Sequence, residues 1–134
     1  MAPVLLAIRD TAVRESLGLL LRDEAGYPVA EADSGITTLT ALLTSPHPLV
    51  VLLDTHLEGH DAVEYLLRLA AADGPARRHR YVVCTTDDPM RLPPSLFELI
   101  TTLGASLLAM PCSIDTVLYT VAHLQALLPT AEAA

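Results

Sequence analysis

Asp54 closes a run of apolar residues, Leu49-Val50-Val51-Leu52-Leu53, and is followed at short spacing by His56, Glu58, His60 and Asp61. Imidazoles and carboxylates gathered in one loop could ligate zinc. No specific metal-motif spacing is present, however, and polar residues after a strand are ordinarily a solvated loop. Cys84 precedes Thr85 and Cys112 follows Pro111, so the two thiols could meet on neighbouring strand ends and respond to oxidants. Buried, inert thiols are the simpler reading. His47, His79 and His123 have no partner identifiable from sequence, and His123 is expected on a helix surface. There is no glycine-rich phosphate loop and no motif of a Ser-His-Asp arrangement, which argues against a nucleotide-binding enzyme or a hydrolase. The expectation is a protein that is not an enzyme.

Composition narrows the partners. Sixteen Asp plus Glu face eight cationic residues, all of them arginine, for a formal charge of −8. Nucleic acid and anionic membrane would both be repelled by that field, and five aromatic residues make a poor base-stacking platform. With 51% hydrophobic and 18% charged residues the chain should fold as one domain. Its apolar runs are far shorter than the roughly 20 residues of a membrane crossing. Two cysteines cannot build a disulfide framework, and Met1-Ala2-Pro3 has no basic region of a signal peptide. A cytoplasmic protein is therefore expected.

The elements that must position these residues alternate in type. Val4 to Ile8 reads as a strand buried on both faces. Val13, Leu17, Leu20 and Leu21 recur at helical spacing after it, with Asp10 or Thr11 as N-cap and Gly26 as stop. Pro28 to Ala32 reads as an edge strand, and a helix from Ser34-Gly35 carries Ile36, Leu39 and Leu43. Leu49 to Leu53 is the central strand, followed by a helix with Val63, Leu66, Leu67 and Ala70 and an Asp73-Gly74-Pro75 turn. A loop with Arg77, Arg78 and Arg80 leads to strand Tyr81 to Thr85. Pro93-Pro94 confines the fourth helix to about Ser95 to Leu103. Ser106 to Ala109 is the last strand, and Val117, Val121, Leu124 and Leu128 mark the last helix, ended by Pro129. Residues 1–129 are one domain and 130–134 a frayed tail. Five such units give an open parallel sheet covered on both faces, and ligands of such sheets sit at the carboxyl ends of the strands. Those ends are Ile8 to Thr11, Asp54 to His56, Thr85 to Asp87 and Met110 to Cys112.

Ala12-Val13-Arg14-Glu15-Ser16-Leu17, Glu31-Ala32-Asp33-Ser34-Gly35, Val50 to Asp54 with Gly59 and Asp61, Thr85, and Gly104-Ala105 before Met110-Pro111 occur in an order and spacing that resembles the receiver domain of two-component response regulators. The resemblance covers essentially the whole chain. It implies a flavodoxin-like (βα)5 fold, a doubly wound five-stranded parallel sheet of order 2-1-3-4-5. It also implies that Asp54 stands at the phosphoacceptor position, Thr85 at the hydroxyl position, and Met110-Pro111 at the family's cis peptide. The same alignment puts Ile8 and Arg9 where the family has two acidic Mg²⁺ ligands, and Met110 where it has lysine. The chain has no lysine at all.

An atypical receiver domain follows as the expectation, with a pocket of Ile8, Arg9, Asp10, Thr85, Met110 and Pro111 around Asp54, and Mg²⁺ binding weak or absent. If the ion did bind, Asp54, His56 and Asp10 would hold it, but Asp10 is better used as an N-cap. At an effective dielectric near 20 and about 4 Å, a guanidinium would repel a divalent cation by about 8 kcal/mol and attract Asp54 by about 4 kcal/mol before desolvation. An Arg9–Asp54 ion pair in place of the metal is expected on that ground. Signalling would then run through a protein partner or a homodimer. The surface used would be the family's face of fourth helix, fifth strand and fifth helix, with Leu118 and Leu127 as contacts. A conventional phosphoacceptor Asp54 served by a histidine kinase, and a small-molecule sensor with an apolar pocket near Ile8, Leu108 and Met110, stay open as alternatives.

Overall fold

The four-residue run Val4–Ala7 is buried along its whole length and forms β1, the strand beside the centre of a parallel sheet. A computed structural model of the chain describes residues 1–72 and 74–128. Around β1 stand β2 (Val29–Ala32), β3 (Val50–Asp54), β4 (Arg80–Thr85) and β5 (Ser106–Ala109), in the order β2-β1-β3-β4-β5. All four pairings are parallel. The parallel sheet is the one expected from the alternating elements, and its order is the one the resemblance implies. β3 is central because both faces of Val50 to Leu53 are covered.

Five helices cover the sheet: α1 (Thr11–Leu19), α2 (Gly35–Thr44), α3 (His60–Ala71), α4 (Pro94–Leu103) and α5 (Ile114–Leu127). Strand alternation sorts the sheet side chains into two cores. Leu5, Ala7, Val51, Leu53 and Val83 meet Leu42 of α2, Val63, Leu66 and Leu67 of α3, and Leu96 and Ile100 of α4. Val4, Leu6, Val50, Leu52 and Val82 meet Leu17 of α1 and Val117, Val121 and Leu124 of α5.

Several local expectations shift. α1 runs on through a π turn at Leu20–Glu24 before Gly26, at φ 72°, stops it. Val13 is exposed, so the buried stripe of this helix is Leu17, Gly18 and Leu21. In α2 Leu39 packs against the core as expected, but Ile36 and Leu43 do not. Ile36 is 71% and Leu43 46% exposed, while Thr38 and Leu42 are buried. A threonine can occupy the core face here because its hydroxyl donates to the Ser34 carbonyl at 2.7 Å. α4 starts at Pro94, whose missing N–H is no loss at a first helical position, and Pro89–Arg91 forms a 3-10 turn. In α5 Leu118 packs against the core beside Val117 and Val121 and is not an exposed contact; Leu127 is half-exposed. The 129–134 segment and Asp73 lie outside the described residues, including the expected helix stop at Pro129 and the frayed tail.

Candidate functional site

Asp54 ends β3, half-buried, with both carboxylate oxygens engaged by backbone. The Arg9 N–H donates to Oδ2 at 3.0 Å and the His56 N–H to Oδ1 at 2.9 Å. The carboxylate therefore ties the end of β1 to the turn after β3. Arg9 meets Asp54 through its amide alone. Its side chain is exposed and joins no ion pair among the described residues, so the expected guanidinium–carboxylate pair does not form. Arg9 lies beyond the end of β1 at Ala7, past the sheet faces that the helices cover, and its side chain reaches solvent there.

Around this tie each expected pocket residue has a definite place. Asp10 caps α1, its Oδ1 accepting the Val13 N–H at 3.0 Å, a use that satisfies a free helix amide and the positive helix end. Thr85 is buried at the end of β4, and its hydroxyl accepts the Asp87 N–H at 3.0 Å. Met110 is half-buried after β5, its N–H donating to the Thr85 carbonyl at 2.7 Å, and the Met110–Pro111 peptide is cis. Ile8 and Leu108 belong to one core cluster, with Met110 and Cys112 half-buried against it. Burial pushes the Cys84 thiol up to about 12, with Asp54 and Cys112 adding to the shift, and burial also raises Cys112. Both are held as thiols, the unreactive form.

Two groupings were not legible in the sequence. Arg14, half-buried on α1, donates to the Ile8 carbonyl at 2.8 Å and pairs with Glu31 of β2 at 3.2 Å, so the cation closing the end of β1 is Arg14 and not Arg9. His56 and His60 both face Asp87, with Nε2 to Oδ2 distances of 3.0 and 3.5 Å, joining the turn before α3 to the loop after β4. Glu58 goes elsewhere, lying against Gly35 at the start of α2. Among the described residues no group of three or more His, Cys, Asp or Glu is arranged to hold a metal ion.

The Asp54 tie has a measurable weight. Asp54→Ala should lower unfolding stability by about 1–2 kcal/mol, since two half-exposed amides exchange a charged acceptor for water. Asp54→Asn, which keeps one acceptor oxygen, should lose about half of that. Urea denaturation of the two variants checks this; a gain in stability on Asp54→Ala would show that the carboxylate is not acting as a tie.

No protein-family model and no curated protein sequence matches the chain. Solved structures do. A protein of Chloroflexus aurantiacus J-10-fl, assigned as a response regulator, is similar with a TM-score of 0.72 at 27% identity, over 93% of this chain and 98% of the other. The chemotaxis protein CheY4 of Vibrio cholerae superposes with a TM-score of 0.72 at 21% identity, over 92% and 98%. The receiver domain of the sensor histidine kinase PA1611 of Pseudomonas aeruginosa PAO1, described with magnesium coordinated in its active-site cleft, gives 0.71 at 19%, over 93% and 98%. The chain has the fold of a CheY-like response-regulator receiver domain, and the resemblance carried by its motifs holds. No helix among the described residues is long and apolar enough to cross a membrane.

Proposed function

We propose that this chain is an atypical receiver domain of a two-component pathway that signals by contact with a protein partner, without Mg²⁺-assisted phosphoryl transfer to Asp54. The observation that carries this reading is the donor set around Asp54. Mg²⁺ asks for six hard oxygens in near-octahedral array. Here Ile8 offers a buried hydrocarbon, Arg9 a cation and Asp10 a carboxylate already used as a helix cap, which leaves Asp54 and the backbone carbonyl of His56. These residues do not fit the ion. The lysine implied at position 110 is a methionine, and the remaining cations of the chain are arginines.

The fold supplies the module and α4, β5 and α5 supply the docking face. Phe97 of α4 and Ile114, Tyr119 and Leu127 of α5 are the exposed large apolar side chains of these helices. That face suits a protein partner or a second copy of the chain, and the acidic surface keeps nucleic acid and anionic lipid away. A conventional phosphoacceptor is the competing reading, supported by Asp54 at the end of β3 and Thr85 at the end of β4. Titration with Mg²⁺ to about 20 mM, followed at the amides of Arg9 and His56, separates the two. No saturable shift is expected; one with a millimolar midpoint, worth about 1–2 kcal/mol of stabilisation at that concentration, overturns the proposal.

A further inference from the structure

The helix α2 turns an uncharged side to solvent. Its sequence, Gly35-Ile36-Thr37-Thr38-Leu39-Thr40-Ala41-Leu42-Leu43-Thr44, holds no ionisable residue, whereas α1, α3, α4 and α5 each carry at least one. Thr38 and Leu42 take the inner face, with Leu39 and Ala41 packed at its margins. Ile36, Thr40 and Leu43 are exposed, and their i, i+4, i+7 spacing sets them in one outer stripe.

This stripe is suited to leaving water. The Thr40 hydroxyl donates to the Ile36 carbonyl at 2.9 Å, and the Thr44 hydroxyl to the Thr40 carbonyl at 2.7 Å. With both donors satisfied inside the helix, covering the face strands neither hydroxyl proton and buries methyl groups. Charge selects what covers it. Each copy of the chain has a formal charge of −8, so two copies repel and meet at least cost where neither presents a carboxylate. The stripe is also self-complementary. About a twofold axis at Thr40, two antiparallel α2 helices set Ile36 of each copy against Leu43 of the other, the isologous arrangement of a cyclic dimer. The small side chain at the axis lets the helices approach to about 8–10 Å.

We propose that α2 is a homodimer interface in which two copies of the chain pack antiparallel through Ile36, Thr40 and Leu43. A single pair of short helices stays below the roughly 1,200 Å² of standard interfaces, so the dimer is weak and concentration-dependent. The interface uses none of α4, β5 and α5, which leaves that face to another protein, and α5 packs on the opposite side of the sheet. It holds whether or not Asp54 accepts a phosphoryl group.

Sedimentation equilibrium of the full chain from about 10 μM to about 1 mM, the range in which a weak interface dissociates, provides the test. The mean mass should rise toward that of a dimer. Ile36→Glu and Leu43→Arg should each weaken association at least about tenfold, because each leaves a charge unpaired in the contact. An equimolar mixture of the two should regain it, since the twofold sets position 36 of one copy against position 43 of the other. Both positions are exposed, so both variants should keep the wild-type unfolding midpoint. Raising NaCl from about 50 to about 500 mM should strengthen the wild-type dimer by screening the repulsion between copies. Tyr119→Ser, at an exposed position of α5, should leave it unchanged. A monomer at every concentration, a dimer indifferent to both α2 variants, no recovery in the mixture, or weakening by salt overturns the proposal. Loss of the dimer in Tyr119→Ser alone also overturns it, and moves association to the face of α4, β5 and α5.

Discussion

Replacing His79 by alanine is expected to remove about 4 kcal/mol of stability, a large share of the 5–15 kcal/mol typical of a domain. His79 is only 2% exposed, and its ring lies between α2 and the starts of β3 and β4. The Leu49 N–H donates to Nδ1, so the proton sits on Nε2 and is donated to the Leu42 carbonyl. Alanine strands both backbone groups away from water, at about 1–3 kcal/mol each, and leaves a void as well. Urea denaturation measures the loss. The same geometry sets a pH response. Burial first, with Arg78 adding, lowers the imidazole below its ordinary 6.5 even though the Leu42 bond opposes the shift. The unfolded chain therefore takes up a proton near pH 6.5 while the folded protein stays neutral. This contribution to stability is complete above that pH and falls away as the pH drops below it, by at most about 1.4 kcal/mol per pH unit. In His79→Ala that part of the slope should vanish, and an unchanged slope would assign it to other groups.

Acyl-phosphate formation on Asp54 is expected to be slower by about ten-thousand-fold than on the magnesium-coordinating receiver domain of Pseudomonas aeruginosa, measured side by side. A transferring phosphoryl group gathers negative charge, and the catalysis of its transfer is largely electrostatic. Removing one preorganised stabiliser of such charge typically costs a factor of about 10² to 10³. On the alignment that the resemblance implies, two are missing here: Ile8 and Arg9 stand where the acidic pair that would seat a cation is expected, and Met110 where the lysine is. Arg9 does not make up the difference, because its guanidinium is turned to solvent and only its amide reaches Asp54. A time course with a small phosphodonor in saturating Mg²⁺ checks the ratio, and a rate within about a hundredfold would mean that at most one stabiliser is missing.

The parallel sheet was legible because it rests on runs such as Val50 to Leu53 and on helical periods such as Val63, Leu66, Leu67 and Ala70, which all prove buried, while its strand order came from the resemblance to receiver domains. What hydrophobic pattern cannot report is a polar atom satisfied inside the fold. Thr38 occupies the core face of α2 through its bond to Ser34, which displaces Ile36 and Leu43 outward. His79 gave no signal, since its two partners lie at Leu42 and Leu49, thirty or more residues away. At the site, the position of Asp54 and the capping role of Asp10 followed from strand end and helix start. The Arg9 error has a different origin. A charge argument assigns a partner to a charge wherever the chain brings one near, whereas here the backbone amide of Arg9 meets Asp54 and the guanidinium, past the end of β1, stays in solvent.

We propose Asp54 as a structural tie and not as a phosphoacceptor. Incubation with a small phosphodonor and Mg²⁺, followed by weighing the intact protein by mass spectrometry with Asp54→Asn as control, tests it most directly. The wild-type protein is expected to show no gain that the variant lacks. A stoichiometric phosphoryl adduct on the wild type, absent from Asp54→Asn, would contradict the account and make the chain a conventional phosphoacceptor.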